Sequence, residues 1–148
     1  MRALGSSLII GLVAAMTTTI MAAVPSAVHL STEWSAKITG KDGRKVSGSA
    51  TAVPTADGAG TLVSVTLEGD TPGATRPWHV HSGSCAASGG VVGGGRAYSA
   101  LTIDPKGHAT GKATLAVTLP DTGKFYVNIH DAATAMSIIV ACGDLARK

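Results

Sequence analysis

Aromatic side chains are scarce in this 148-residue chain: one Phe, two Tyr and two Trp make up 3% of it. A core built with so few must be filled by Val, Ile, Leu and Ala. Charge is scarce as well. Asp, Glu, Lys and Arg together reach 14%, and the formal net charge is +3. With no basic run and no interleaving of aromatic and basic residues, that balance gives no case for a nucleic-acid partner. A weak attraction for small anions is the most it allows. Cysteine occurs twice, at Cys85 and Cys142, and never as Cys-x-x-Cys. Two distant cysteines in an exported chain read as one structural disulfide rather than a redox or metal centre. No cysteine lies near the amino terminus, which excludes a lipoprotein attachment. No apolar period of a helix exists beyond the first residues. No His-Glu-x-x-His and no Gly-x-Ser-x-Gly occurs, so Ser82 and Ser84 read as loop residues rather than nucleophiles.

What is present begins with an apolar leader. Arg2 supplies the positive start, and an apolar run extends to Val24, interrupted by Thr17, Thr18 and Thr19. Small residues follow. Residues 1–24 are read as a secretory signal peptide with cleavage between 22 and 27, leaving a domain over 28–148. The threonines weaken the competing reading of an uncleaved anchor. Periplasm or extracellular space is the expected location.

The domain is a succession of short alternating runs punctuated by turn residues, the pattern of an all-β sandwich or barrel. Strands are expected at 32–39, 45–53, 61–68, 76–81, 98–103, 108–119, 124–130 and 136–142. Residues 61–68 alternate cleanly, with Val63, Val65 and Leu67 on one face. In the seventh strand Phe125, Val127 and Ile129 are expected to face the core, leaving Tyr126, Asn128 and His130 on the polar face. Residues 82–95 hold Gly83, Gly89, Gly90, Gly93, Gly94 and Gly95 and are read as one long irregular loop.

Five histidines carry the chemistry. His79 and His81 flank Val80, which is expected to point into the core. Residues i and i+2 on a strand share a face, roughly 6.5–7 Å apart at Cα. Two imidazoles so placed can converge on one ion with metal–nitrogen bonds of about 2 Å. His130, at a strand end beside Asp131, is the third candidate. His108, after a turn, reads as an exposed strand start. His29 can join an amino-terminal copper site only if cleavage exposes it. An all-histidine donor set without thiolate suits copper or zinc.

Four blocks, Trp78-His79-Val80-His81, Cys85-Ala86-Ala87-Ser88-Gly89-Gly90, Tyr126-Val127-Asn128-Ile129-His130 and Ala141-Cys142-Gly143-Asp144-Leu145, together resemble the copper/zinc superoxide dismutase family. Their order and the expected count of strands agree with it. The resemblance implies an eight-stranded Greek-key β-sandwich or barrel, one copper ion on His79, His81 and His130, and a Cys85–Cys142 bridge tying the loop to the last strand. It implies superoxide as the substrate, dismutated to oxygen and hydrogen peroxide. Three departures limit it. The family's metal-bridging histidine is replaced by Val91, and residues 82–96 offer no other His or Asp, so zinc is not expected. The arginine that guides superoxide is replaced by Ile139. Residues 131–137 are much shorter than the family's charged loop. Unless Arg96 or Arg76 folds over the copper, anion steering is weaker, and water has to supply protons. A non-catalytic copper-binding module is therefore the alternative. The His-x-His pair, the glycine-rich loop with Val91-Val92 and Tyr126 to His130 are also similar to CHRD domains, chordin-type modules without an established enzymatic role.

Overall fold

A computed structural model describes residues 32–148. The leader, its cleavage region and His29 lie outside the described residues. Ten strands and one 3-10 turn follow in order: β1 (Trp34–Gly40), β2 (Ser47–Pro54), β3 (Thr61–Glu68), β4 (Thr75–Arg76), β5 (Trp78–Ser84), β6 (Ala87–Val91), the turn Gly95–Ala97, β7 (Leu101–Thr102), β8 (Ala109–Leu115), β9 (Phe125–His130) and β10 (Ile139–Arg147). Eight form one antiparallel sheet in the order β6-β5-β9-β10-β1-β2-β3-β8, and β4 pairs with β7 in a small ribbon. The sheet curls on itself. An added Cβ at Gly111 of β8 would lie 2.4 Å from Leu101 and 3.5 Å from Trp78 of β5, so strands far apart in the sheet order meet across the core.

Alternation explains which side chains fill that core, because successive residues of a strand point to opposite faces. Ala36 and Ile38 of β1, Ala50 and Ala52 of β2, and Val63, Val65 and Leu67 of β3 are all buried in one cluster. A fully buried Val, Leu or Ile contributes roughly 1.5–3 kcal/mol. The few aromatics do concentrated work. Trp34 meets Phe125 edge-to-face at 5.4 Å, Trp78 meets Tyr98 at 5.0 Å, and the Trp78 indole N–H donates to the Ser99 carbonyl at 2.8 Å.

Several boundaries differ from expectation, each for a local reason. The expected strand at 76–81 divides at Pro77, which has no N–H for the ladder; Arg76 goes to the ribbon and Trp78 starts β5. Of 98–103 only Leu101–Thr102 is strand. The run expected to reach 119 stops at Leu115. Beyond it the chain wraps the buried Thr61 hydroxyl, which donates to the Val117 carbonyl and accepts from the Leu119 N–H, and Val117 is left exposed. The loop expected at 82–95 is partly ladder: β5 runs to Ser84 and turns back as β6. Gly83 makes that turn possible. Its φ is +99°, and a Cβ there would lie 2.3 Å from the Ala87 carbonyl oxygen. The last strand begins at Ile139 and continues to Arg147, where it pairs with Trp34.

Cys85, in the β5–β6 connection, is bonded to Cys142 of β10, with Cα atoms 5.9 Å apart and a sequence separation of 57. A bulge in β10 between Ile139 and Ala141 sets Cys142 opposite Asn128, on the face covered by the hairpin. The Asp144 carboxylate on the same strand accepts the Cys85 N–H at 2.7 Å. Closing a loop of this length is worth about 4 kcal/mol in the chain-entropy model. Replacing both residues (Cys85→Ala with Cys142→Ala) should cost about 2–4 kcal/mol in urea unfolding. An unchanged stability would mean that the bridge closes nothing the fold does not already hold.

Candidate metal centre

The centre is built on β5 and β9. They pair antiparallel with Trp78 opposite Ile129, His79 opposite Asn128, Val80 opposite Val127 and His81 opposite Tyr126. Trp78, Val80, Val127 and Ile129 are fully buried in the core. The alternate residues therefore share the other face, and His79 and His81 stand there as the i, i+2 spacing predicts. Val80 points inward as expected. His130 continues the same face one step beyond Asn128.

That face is not the polar surface expected for Tyr126, Asn128 and His130. All six residues of β9 are buried, and His130 is only 4% exposed. Over Tyr126 and Asn128 the cause is a cover: Cys85, Ala86 and Ser88 of the hairpin, with Ile139 and Cys142 of β10, line a cleft of about 170 Å³ there, while the His130 ring lies against the Met136 carbonyl of the β9–β10 connection. The two cysteines hold that cover down.

His79, His81 and His130 form one cluster whose candidate ligand atoms lie within 4.8 Å of one another. Hydrogen bonds assign the nitrogens. The Nδ1–H of His130 donates to the Met136 carbonyl at 2.6 Å, leaving Nε2 with its lone pair. The Nδ1–H of His81 donates to the Gly89 carbonyl at 3.0 Å, leaving Nε2 likewise. That His81 Nε2 is buried and has no partner among the described residues. His79 presents Nδ1, 3.2 Å from His130 Nε2. A backbone carbonyl on the far nitrogen is how metal-binding imidazoles are commonly oriented and made more basic. With metal–nitrogen bonds of about 2 Å, opposed nitrogens lie at most about 4 Å apart. Closing the group from 4.8 Å therefore asks only small ring shifts. The donor chemistry fits an ion: three imidazoles, one orphaned nitrogen, and both cysteines committed to the disulfide.

Aromatic packing holds the rings. His81 stacks on Tyr126 with centroids 5.2 Å apart, and His79 meets Tyr98 edge-on at 5.2 Å. Burial, followed by the neighbouring imidazoles of His130 and His81, pushes His79 down to about 4. Burial also lowers His130, against the raising effect of its bond to Met136. Both rings are thus neutral at pH 7, the form a metal requires.

The other singled-out residues are placed apart. His108 precedes β8 and is exposed, as expected, with Asp104 at 3.9 Å. Val91 lies on β6 opposite His81 and is 41% exposed, while Ile139 lines the cleft beside the disulfide. Arg96 is exposed on the 3-10 turn. Arg76 cannot fold over the cluster: it is buried against Asp70 and Asp131. The carbonyls of Gly89 and Met136 had no signal in the sequence, because a backbone acceptor carries no side-chain signature. Tyr126 was visible only as a neighbour in a motif. No protein-family model matches the chain, and no curated protein matches it. Among the described residues no helix is long and apolar enough to cross a membrane.

A pH dependence follows. The unfolded chain protonates His79 near 6.5 while the folded chain resists until about 4. The unfolded state then binds more protons, so metal-free stability is lost as pH falls from about 6.5 to about 4. Thermal unfolding across this window should show a slope that flattens in His79→Gln. An equal slope in that variant would remove His79 as its source.

Proposed function

We propose that this chain is an exported copper-binding protein with a Greek-key β domain of the copper/zinc superoxide dismutase type. It holds one copper ion on His79, His81 and His130 and dismutates superoxide to oxygen and hydrogen peroxide. The observation that carries the reading is the buried, unpartnered Nε2 of His81, grouped with two further imidazoles. A polar atom left so costs roughly 1–3 kcal/mol, and a cation removes that cost. Three imidazoles without thiolate suit copper or zinc; the four sequence blocks favour copper. The curled eight-stranded antiparallel sheet and the Cys85–Cys142 bridge agree with the same family. The disulfide also suits an oxidising compartment, periplasm or cell exterior, to which the leader would direct the chain.

When bound, copper supplies the one-electron exchange that makes oxygen from one superoxide and peroxide from another. The chain supplies the rest. Gly89 and Met136 hold His81 and His130 with Nε2 presented, and burial keeps His79 unprotonated. Peroxide formation consumes two protons. Val91 stands opposite His81 and offers none, so water delivers them. Two positions favour a second reading, copper holding without turnover: Val91 and Ile139 are aliphatic where the resemblance places a histidine and an arginine.

The readings separate in one set of measurements. The mature chain should bind one copper, show nitrogen hyperfine structure in its Cu(II) resonance, and speed superoxide decay with free copper chelated. His130→Ala should lower copper affinity at least about tenfold. Equal binding by the wild type and His130→Ala would overturn the three-histidine centre. Copper binding with superoxide decay equal to that of buffer would establish the second reading. No binding at all would leave a structural, CHRD-like module.

A further inference from the structure

Arg76 is 6% exposed, yet it carries a charge and makes four hydrogen bonds. Its Nε and Nη2 donate to the two carboxylate oxygens of Asp70, at 2.8 and 2.7 Å. Its Nη1 donates twice to Asp131, to the backbone carbonyl at 2.7 Å and to Oδ1 at 2.8 Å. Arg44 adds a longer contact to the same Oδ1, 3.7 Å. Burying such a group costs several kcal/mol, which pairing offsets only with good geometry, and stability alone does not explain it. Its place in the chain does. Arg76 is three residues before His79, and Asp131 directly follows His130.

The loop between β9 and β10 is organised from Asp131. The Asp131 N–H donates to the Ile138 carbonyl at 2.9 Å, and the Ile138 and Ala135 N–H groups donate to Ala135 and Ala132. Met136 sits inside this closed loop, and its carbonyl is the acceptor that holds the His130 ring at 2.6 Å. The His130 N–H itself donates to the Pro77 carbonyl, next to Arg76. One guanidinium thus fastens the approach to β5 to both the end of β9 and the loop that orients its histidine. A lysine cannot do this, since it lacks the planar fork that grips a carboxylate with two arms and leaves a third.

We propose that Arg76 is a positioning residue for the three-histidine centre: by gripping Asp131 it sets the β9–β10 loop so that the Met136 carbonyl keeps the proton of His130 on Nδ1 and presents Nε2. His81 provides an internal control. Its Nδ1–H is held by Gly89, on β6, which no bond of Arg76 touches. The inference about copper rests on the reading of His130 as a ligand; the inference about the His130 proton does not.

The test is nitrogen NMR of the metal-free protein, in which ring shifts report which nitrogen bears the proton. Wild type should show Nδ1–H on both His81 and His130. In Arg76→Gln the His130 signals should move to a mixture of tautomers while those of His81 stay, and Arg76→Lys should fall between. Copper affinity should drop about tenfold in Arg76→Gln. Should Arg76→Gln fail to fold, Asp131→Ala removes one of the two acceptors and should move His130 in the same direction by less. An unmoved His130, or equal movement of His81, would overturn the proposal. Failure of wild type to bind copper would sink the metal reading and leave the tautomer result to stand separately.

Discussion

The register of β5 against β9 is the constraint on which the rest of the structure hangs. With Val80 opposite Val127 and Trp78 opposite Ile129, four apolar side chains enter the core together. The same pairing places His79, His81, Asn128, Tyr126 and His130 on the opposite face. A slip of one residue would exchange the two sets, putting imidazoles into the aliphatic core and Trp78 outside it. The cost of that exchange is what fixes the histidines. The centre is therefore specified by the packing beneath it rather than by contacts among the histidines.

A sheet face bearing three imidazoles must also be protected and aligned, and two loops do so by similar means. The β5–β6 hairpin is anchored by the disulfide and by Asp144, and its Gly89 carbonyl orients His81. The β9–β10 loop is anchored by Arg76 through Asp131, and its Met136 carbonyl orients His130. In each case a strong anchor holds a loop, and the loop offers a backbone oxygen to an imidazole. Rings held this way lose little freedom on meeting an ion.

Much of this was legible in the chain itself. Clean alternation in 61–68 and the glycine-marked turns pointed to an all-β fold, because period two is what one buried sheet face demands. His79 and His81 were readable as a pair for the same reason. His130 joined them through a motif, and its burial was not foreseen: alternation shows which residues share a face but not whether another segment covers it. Over Tyr126 and Asn128 that cover is a glycine-rich hairpin whose composition reads as loop, in which Gly83 conceals a turn rather than a break; against His130 it is the β9–β10 connection. Sequence alone left open whether Arg76 folds over the centre. Its two acidic partners lie 6 and 55 residues away, and only the fold brings them together.

β5 and β9 bring three imidazole nitrogens within 4.8 Å of one another, a group that could hold one metal ion. X-ray absorption at the copper edge of the copper-loaded protein counts the imidazole rings at the ion through multiple scattering. One copper with three histidine nitrogens at about 2 Å is expected, falling to two in His81→Ala. Copper with fewer than three imidazoles in the wild type, or with a sulfur neighbour, would contradict the three-histidine centre.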